Sequence, residues 1–250
     1  MTNVPIDPLA IIELTNLKAA GKLIDLARHP GLTMKPEWMT ELASDEDWLI
    51  RYNLAKNPAI ASSPEVIQAL ATNKDYDIRY SLATNPALTD YPEIVERLSK
   101  DRSKQVRMHL AQNRAIASFP EVVQTLSTDE NHHVRATLAP NPALASCPEV
   151  VGQLSTDEDW RVRANLASNR AIASSPKAIR TLSTDENHHV RATLAGNPAI
   201  AAFPEVIQAL ASDENHHVRK ALAENPATPS STASTNSWQV AQPITQAPTI

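Results

Sequence analysis

The chain is predicted to be an all-α solenoid of seven to eight 28-residue two-helix repeats behind an N-terminal capping helix, because three residue ladders share one period. Arg recurs at Arg51, Arg79, Arg107, Arg135, Arg163, Arg191 and Arg219, always 28 apart. Asn recurs in the same step at Asn57, Asn85, Asn113, Asn141, Asn169, Asn197 and Asn225. Pro does so at Pro36, Pro64, Pro92, Pro120, Pro148, Pro176 and Pro204. No insertion or deletion breaks the register from about Leu23 to Pro226. A fixed period of roughly 20–50 residues is the mark of stacked repeats. It overrides the one or two globular domains that 250 residues would otherwise suggest.

Each element of the unit follows from its residues. In the copy from Asp129 to Thr156, a first helix is expected from His132 to Ala139, with Asn131 as N-cap. Asp47, Asp75, Ser103, Asp159, Asn187 and Asn215 stand at the equivalent cap positions. Val134 and Leu138 form the apolar stripe at i, i+4. The helix should stop at Asn141-Pro142, where Asn tolerates the left-handed C′ conformation and Pro cannot continue. A second helix should open near Ser146-Cys147-Pro148-Glu149, with Ser146 and Glu149 as a capping box. Ser62/Glu65, Ser118/Glu121 and Asp90/Glu93 repeat that pattern. Val150, Val151 and Leu154 give its buried face, and Leu144 plugs the linker into the core. Helices below about 12–15 residues are marginal alone, so stacking must supply the interior.

The ends break the period. Residues 1–22 contain Leu9, Ile11, Ile12, Leu14 and Leu17 after Asp7-Pro8, which read as an amphipathic helix capping the first unit. The repeat array spans 23–226, and its first unit is degenerate: Leu23 stands in the Arg ladder and His29 in the Asn ladder. Residues 227–250 carry no charge and are rich in Ser, Thr and Pro, the composition of a disordered tail. Within that tail, SWQV is an alternative docking peptide or cover for the end of the stack.

Composition narrows function. The 23 Lys+Arg against 28 Asp+Glu give a net charge of −5, which argues against a duplex-DNA binder. A single cysteine, Cys147, rules out an intramolecular disulfide framework and any multi-cysteine cluster. No apolar run has the roughly 18–20 residues of a membrane span. The N-terminal sequence lacks the basic start of a signal peptide, so a cytoplasmic location is expected. Four glycines, far apart, build no phosphate loop.

The string VRxxLAxNPxxxxxPEVxxxL, carried here from Val190-Arg191 through Leu210, resembles the leucine-rich repeat variant family over residues 23–226. That resemblance implies a bacterial-type repeat protein. Its units pair an α-helix with a second short helix, often 3₁₀, and wind into a right-handed superhelix without strands. Founding members also carry a cysteine-rich iron–sulfur segment, which does not transfer to a chain holding only Cys147. The HEAT-like repeat of phycobilin lyases shares a similar first helix. The regular Asn-Pro and the Pro-Glu-Val opening the second helix favour the first family.

The ladders read as structural. Arg135 borders the packed face beside Val134, and a cation there must be paired. Asp129 recurs as Asp45, Asp101, Asp157, Asp185 and Asp213. Each Arg is therefore expected to tie its helix to acidic loops or carbonyls, and each Asn to close a turn on the backbone.

Three variable positions flank the core stripe of the first helix. One reads Trp48, Tyr76, Lys104, His132, Trp160, His188, His216; the next reads Leu49, Asp77, Gln105, His133, Arg161, His189, His217. The third reads Tyr52, Tyr80, Met108, Ala136, Ala164, Ala192, Lys220. A fixed frame with one varied strip is how repeat proteins build recognition surfaces. The candidate contact residues are Trp48, Tyr52, Tyr76, Tyr80, His132, His133, Trp160, His188, His189 and His216. The second-helix strip (Gln68, Glu96, Gln124, Gly152, Arg180, Gln208) is the lesser candidate.

The His-His pairs do not point to a metal, because adjacent helical residues diverge by about 100°. STDENHHVRATLA is identical at 127–139 and 183–195, the trace of internal duplication. No catalytic motif is present. The expectation is a non-enzymatic scaffold that binds a protein or peptide, with no cofactor, no metal and no membrane partner. The alternatives are nucleic-acid binding through the Arg ladder and an accessory subunit for a cofactor-bearing protein.

Overall fold

The computed structural model describes residues 8–19, 21–34 and 36–228. Among them are sixteen α-helices and no strand, arranged as an α-solenoid. After the N-terminal helix Pro8–Ala19, seven units follow one plan, and an eighth contributes only its first helix, His216–Ala223. The fifth unit shows the plan: first helix His132–Leu138, 3₁₀ helix Pro142–Ser146, second helix Pro148–Leu154. First helices pack on first helices, 3₁₀ segments on 3₁₀ segments and second helices on second helices along the stack.

The connector differs from the plain linker expected: it is a 3₁₀ helix in all seven units. In six of the seven, asparagine causes this, in a conformation opposite to the left-handed one anticipated; in the first, His29 stands in its place. Asn141 is extended, with φ −67° and ψ 129°, and its Oδ1 accepts the Ala143 N–H at 2.9 Å. Asn113 and Asn169 precede Arg rather than Pro, yet they adopt the same extended geometry and cap Ala115 and Ala171 identically. The side-chain cap, rather than steric pressure from proline, therefore sets the turn.

The anticipated capping boxes do not form. The second helices are capped one residue later, at Ser63, Tyr91, Phe119, Cys147, Ser175 and Phe203, without any side-chain cap bond. Ser62, Ser118 and Ser146 instead end the 3₁₀ segments. Proline, with its φ fixed near the helical value and no N–H to leave unpaired, sets the first helical position itself and so moves the start of the helix one residue past the anticipated cap. The first helices do follow the expected caps. Asp47, Asp75, Asn131, Asp159, Asn187 and Asn215 each accept the N–H two residues on, and only Ser103 makes no such bond.

One apolar cluster runs the length of the stack. Val134, Leu138, Leu144, Val151 and Leu154 are fully buried, so the stripe of each helix and the plug of the connector share one interior. Truncating such a leucine to alanine typically costs about 2–5 kcal/mol. Leu14 and Leu17 of the N-terminal helix pack against this cluster. The side chains of Leu9, Ile11 and Ile12 and residues 229–250, including SWQV, lie outside the described residues.

Candidate functional site

The Arg and Asn ladders are polar seams of the stack, while the strip positions range from exposed, at Trp48 and Tyr76, through half-buried, at Tyr52, Tyr80 and Trp160, to buried, at Ala136. Arg79 donates from Nε and Nη2 to both oxygens of Asp101 at 2.6 and 2.9 Å, and from Nη1 to the Asn73 carbonyl at 2.7 Å. The same bidentate pairing joins Arg107 to Asp129, Arg135 to Asp157, Arg163 to Asp185 and Arg191 to Asp213. Each acceptor lies 22 residues on, in the next unit. The aspartate Oδ1 also accepts a local N–H, Ser103 on Asp101 and Asn131 on Asp129. Burial works against the Asp101 carboxylate, but the Arg79 guanidinium and the Ser103 N–H outweigh it and hold its pKa below the ordinary value. At Asp213 the Arg191 hydrogen bonds lead, with the same downward result.

The asparagines reach further than local turn closure. Asn141 Nδ2 donates to the carbonyls of Ala111 and Asn113 in the preceding unit at 2.7 and 3.3 Å. The pattern repeats without a gap from Asn57 to Asn225. The phase shared with the Arg ladder was the available signal for this. In the degenerate first unit, His29 Nδ1 accepts the Gly31 N–H at 3.0 Å and reproduces half of the asparagine's work.

On the strip, Trp48 and Tyr76 are the most exposed large apolar side chains, at 50% and 46%. Trp48, Tyr52, Tyr80 and His109 form a continuous row of rings with centroids 5.9, 6.1 and 4.5 Å apart. The Tyr52 and Tyr80 hydroxyls lie 3.3 Å apart. Sharing a proton across this contact pushes Tyr80 up to about 12 and Tyr52 downward. His109 was not among the residues expected. It joins because stacking sets residue n of one unit against n+29 of the next, as Trp160 meets His189 with centroids 5.4 Å apart.

Each His-His pair also brings its own rings together, at 4.1 Å for His132-His133 and His188-His189 and 3.9 Å for His216-His217. Repulsion from His216, with burial and the charges of His188, His189 and Lys220, pushes His217 below the usual histidine value. Among the described residues, no group of three or more His, Cys, Asp or Glu side chains is placed to hold a metal ion.

At the third strip position the tyrosines give way to Ala136, Ala164 and Ala192. The result is a groove of about 540 Å³, floored by Ala136 and Ala164 and walled by Met108, His133 and Trp160. The Arg161 guanidinium stands 5.0 Å from the Trp160 ring centre. A second groove of about 430 Å³ on the second-helix side is lined by Glu65, Asp90, Tyr91 and Glu93.

No family model and no curated protein matches the chain. Among solved structures, one described as a leucine-rich repeat variant with a novel repetitive protein structural motif aligns with 82% of this chain and 85% of its own. It is 19% identical, with a TM-score of 0.43. The match is distant and partial. Among the described residues no helix is long and apolar enough to cross a membrane.

Proposed function

We propose that the chain is a non-catalytic scaffold that binds a protein or peptide along the first-helix strip. The observation carrying this reading is the half-buried and exposed row from Trp48 to His109, continued by the Ala-floored groove beside Trp160. Aromatic side chains left partly in water on a rigid frame are the usual anchors of interfaces. In this reading the Arg and Asn ladders hold register between units, the N-terminal helix covers the end of the first unit, and the protein is a cytoplasmic member of the leucine-rich repeat variant family.

The nucleic-acid reading loses its main group. Arg79, Arg107, Arg135 and Arg163 are buried, and their guanidiniums are occupied by aspartates and carbonyls, which leaves little for phosphate. The test is affinity capture from cell extract with the wild-type chain and a Trp48→Ala/Tyr52→Ala/Trp160→Ala triple variant, compared by mass spectrometry. Loss of specific partners with an unchanged helical spectrum is the expected result. An identical partner profile would remove the strip as the contact face.

A further inference from the structure

Although the chain is acidic overall, its strip is not. Across the five first helices from Lys104 onward, the three strip positions hold three permanent cations and six imidazoles, and no Asp or Glu. The cations are Lys104, Arg161 and Lys220. The groove between Met108 and Trp160 has no carboxylate in its lining, while the groove on the opposite helices has three.

Resting on the scaffold reading above, we propose that the occupant of this strip is an extended acidic peptide segment. One large apolar side chain of that segment seats on Ala136 and Ala164, and its carboxylates face Arg161 and the histidine pairs.

Three observations carry the choice. The groove, at about 540 Å³, is of the size that takes a side chain with its flanking backbone. Met108, Ala136, Ala164 and Trp160 give it an apolar seat edged by Gln112, His133, Thr137 and Asn165, and a cation stands at its rim: the Arg161 side chain is 58% exposed beside the Trp160 ring. The charge most able to cancel that cation is Asp159, and it is largely covered and engaged. It accepts the Arg161 N–H at 2.8 Å, and its other oxygen lies 3.5 Å from Arg161 Nη1 and 3.7 Å from His132 Nε2. The imidazoles around the groove need no charge to contribute, because a neutral imidazole still donates one N–H.

Spacing adds a register. Packed helices repeat about every 8–10 Å, and an extended chain advances about 3.3 Å per residue. A segment running along the stack therefore passes one unit for about every three residues, so its acids should recur at that interval. A single-stranded nucleic acid fits less well, since three permanent cations over five units neutralise few phosphates.

The probe is a displayed library of random dodecapeptides selected against the full chain, with affinities of the winners then measured by fluorescence anisotropy. Winners should carry Asp or Glu at about every third position around one Leu, Met, Phe or Trp. Arg161→Glu and Ala164→Trp should each weaken them by about tenfold or more without shifting the melting temperature. Raising the salt concentration should weaken them as well. Winners that lose binding in the Trp48/Tyr52/Trp160 variant but are neutral or basic would overturn the acidic partner and leave the strip reading standing. Winners indifferent to every strip substitution, or no winners at all, would overturn both. Polyuridylate that binds the strip and displaces the acidic winners more tightly than they bind would replace the peptide with nucleic acid.

Discussion

The junction between Arg163 and Asp185 and the junction at Arg51 are built on one template, and only the first is complete. Arg163 places Nε and Nη2 on the two oxygens of Asp185 in a pair that is almost wholly buried. At the corresponding position 22 residues on from Arg51, the chain carries Asn73 instead of an aspartate. Asn73 has one acceptor oxygen, and that oxygen takes the Asp75 N–H at 3.0 Å. Arg51 keeps its bonds to the Asp45 and Glu46 carbonyls, but its buried Nε has no partner. The contrast teaches that the Asp does two tasks, a local turn and a tie across units, and that the amide preserves the first alone.

The neighbouring end of the stack is tied differently again. With Leu23 in the Arg ladder, Asp45 pairs with Lys18 of the N-terminal helix at 3.4 Å, and Arg28 donates to Asn53 at 2.8 Å. The asparagine seam, by contrast, runs through both junctions, so the units stay in register where the charged rung fails.

The contrast can be broken most severely at the intact junction. Asp185→Ala leaves Arg163 as a buried cation without its carboxylate, and truncation of one partner of such a pair costs about 3–5 kcal/mol. Amide exchange in Trp160–Ser168 and His188–Ala195 should quicken strongly, with a lower melting temperature. Protection equal to the wild type would show that the pair is not a clamp.

Acid should erase part of the same contrast more gradually. Asp101 and Asp213 have pKa values lowered on folding. Their stabilisation is thus fully present above the unfolded value of about 3.9 and is lost as pH falls through the folded value. Stability that stays level across that window in a pH series of melts would contradict the assignment.

The smallest effect is a gain. Asn73→Asp supplies a carboxylate at the position opposite Arg51 and should stabilise that junction by about 1.5–3 kcal/mol, in line with a hydrogen bond to a charged group. A lower melting temperature for this variant would mean that Arg51 is held for another purpose.

Much of this architecture was legible in the residues. The shared period gave the units, the i, i+4 spacing of Val134 and Leu138 gave the buried stripe, and the Asp and Asn caps gave the starts of the first helices. The candidate strip was legible as a set of positions. What it builds was not, because a row of rings depends on which residues, 28 or 29 apart, the stacking of units brings face to face, and the groove depends on where Ala136 and Ala164 leave space beside Trp160. The misplaced capping boxes have a similar origin: Ser-x-x-Glu spacing is local, and Pro at the helix start, one residue nearer, decided the cap.

Periodicity is a property of one chain read along its length, so the order of residues was sufficient to determine the two-helix repeat and its dry interior. Which oxygen each arginine grips, and that each asparagine holds the previous unit as well as its own turn, depends on atoms 22 to 30 residues apart meeting within hydrogen-bonding distance. Only the stacked structure sets that distance, since the rise and rotation from unit to unit arise from packing and are encoded in no single repeat.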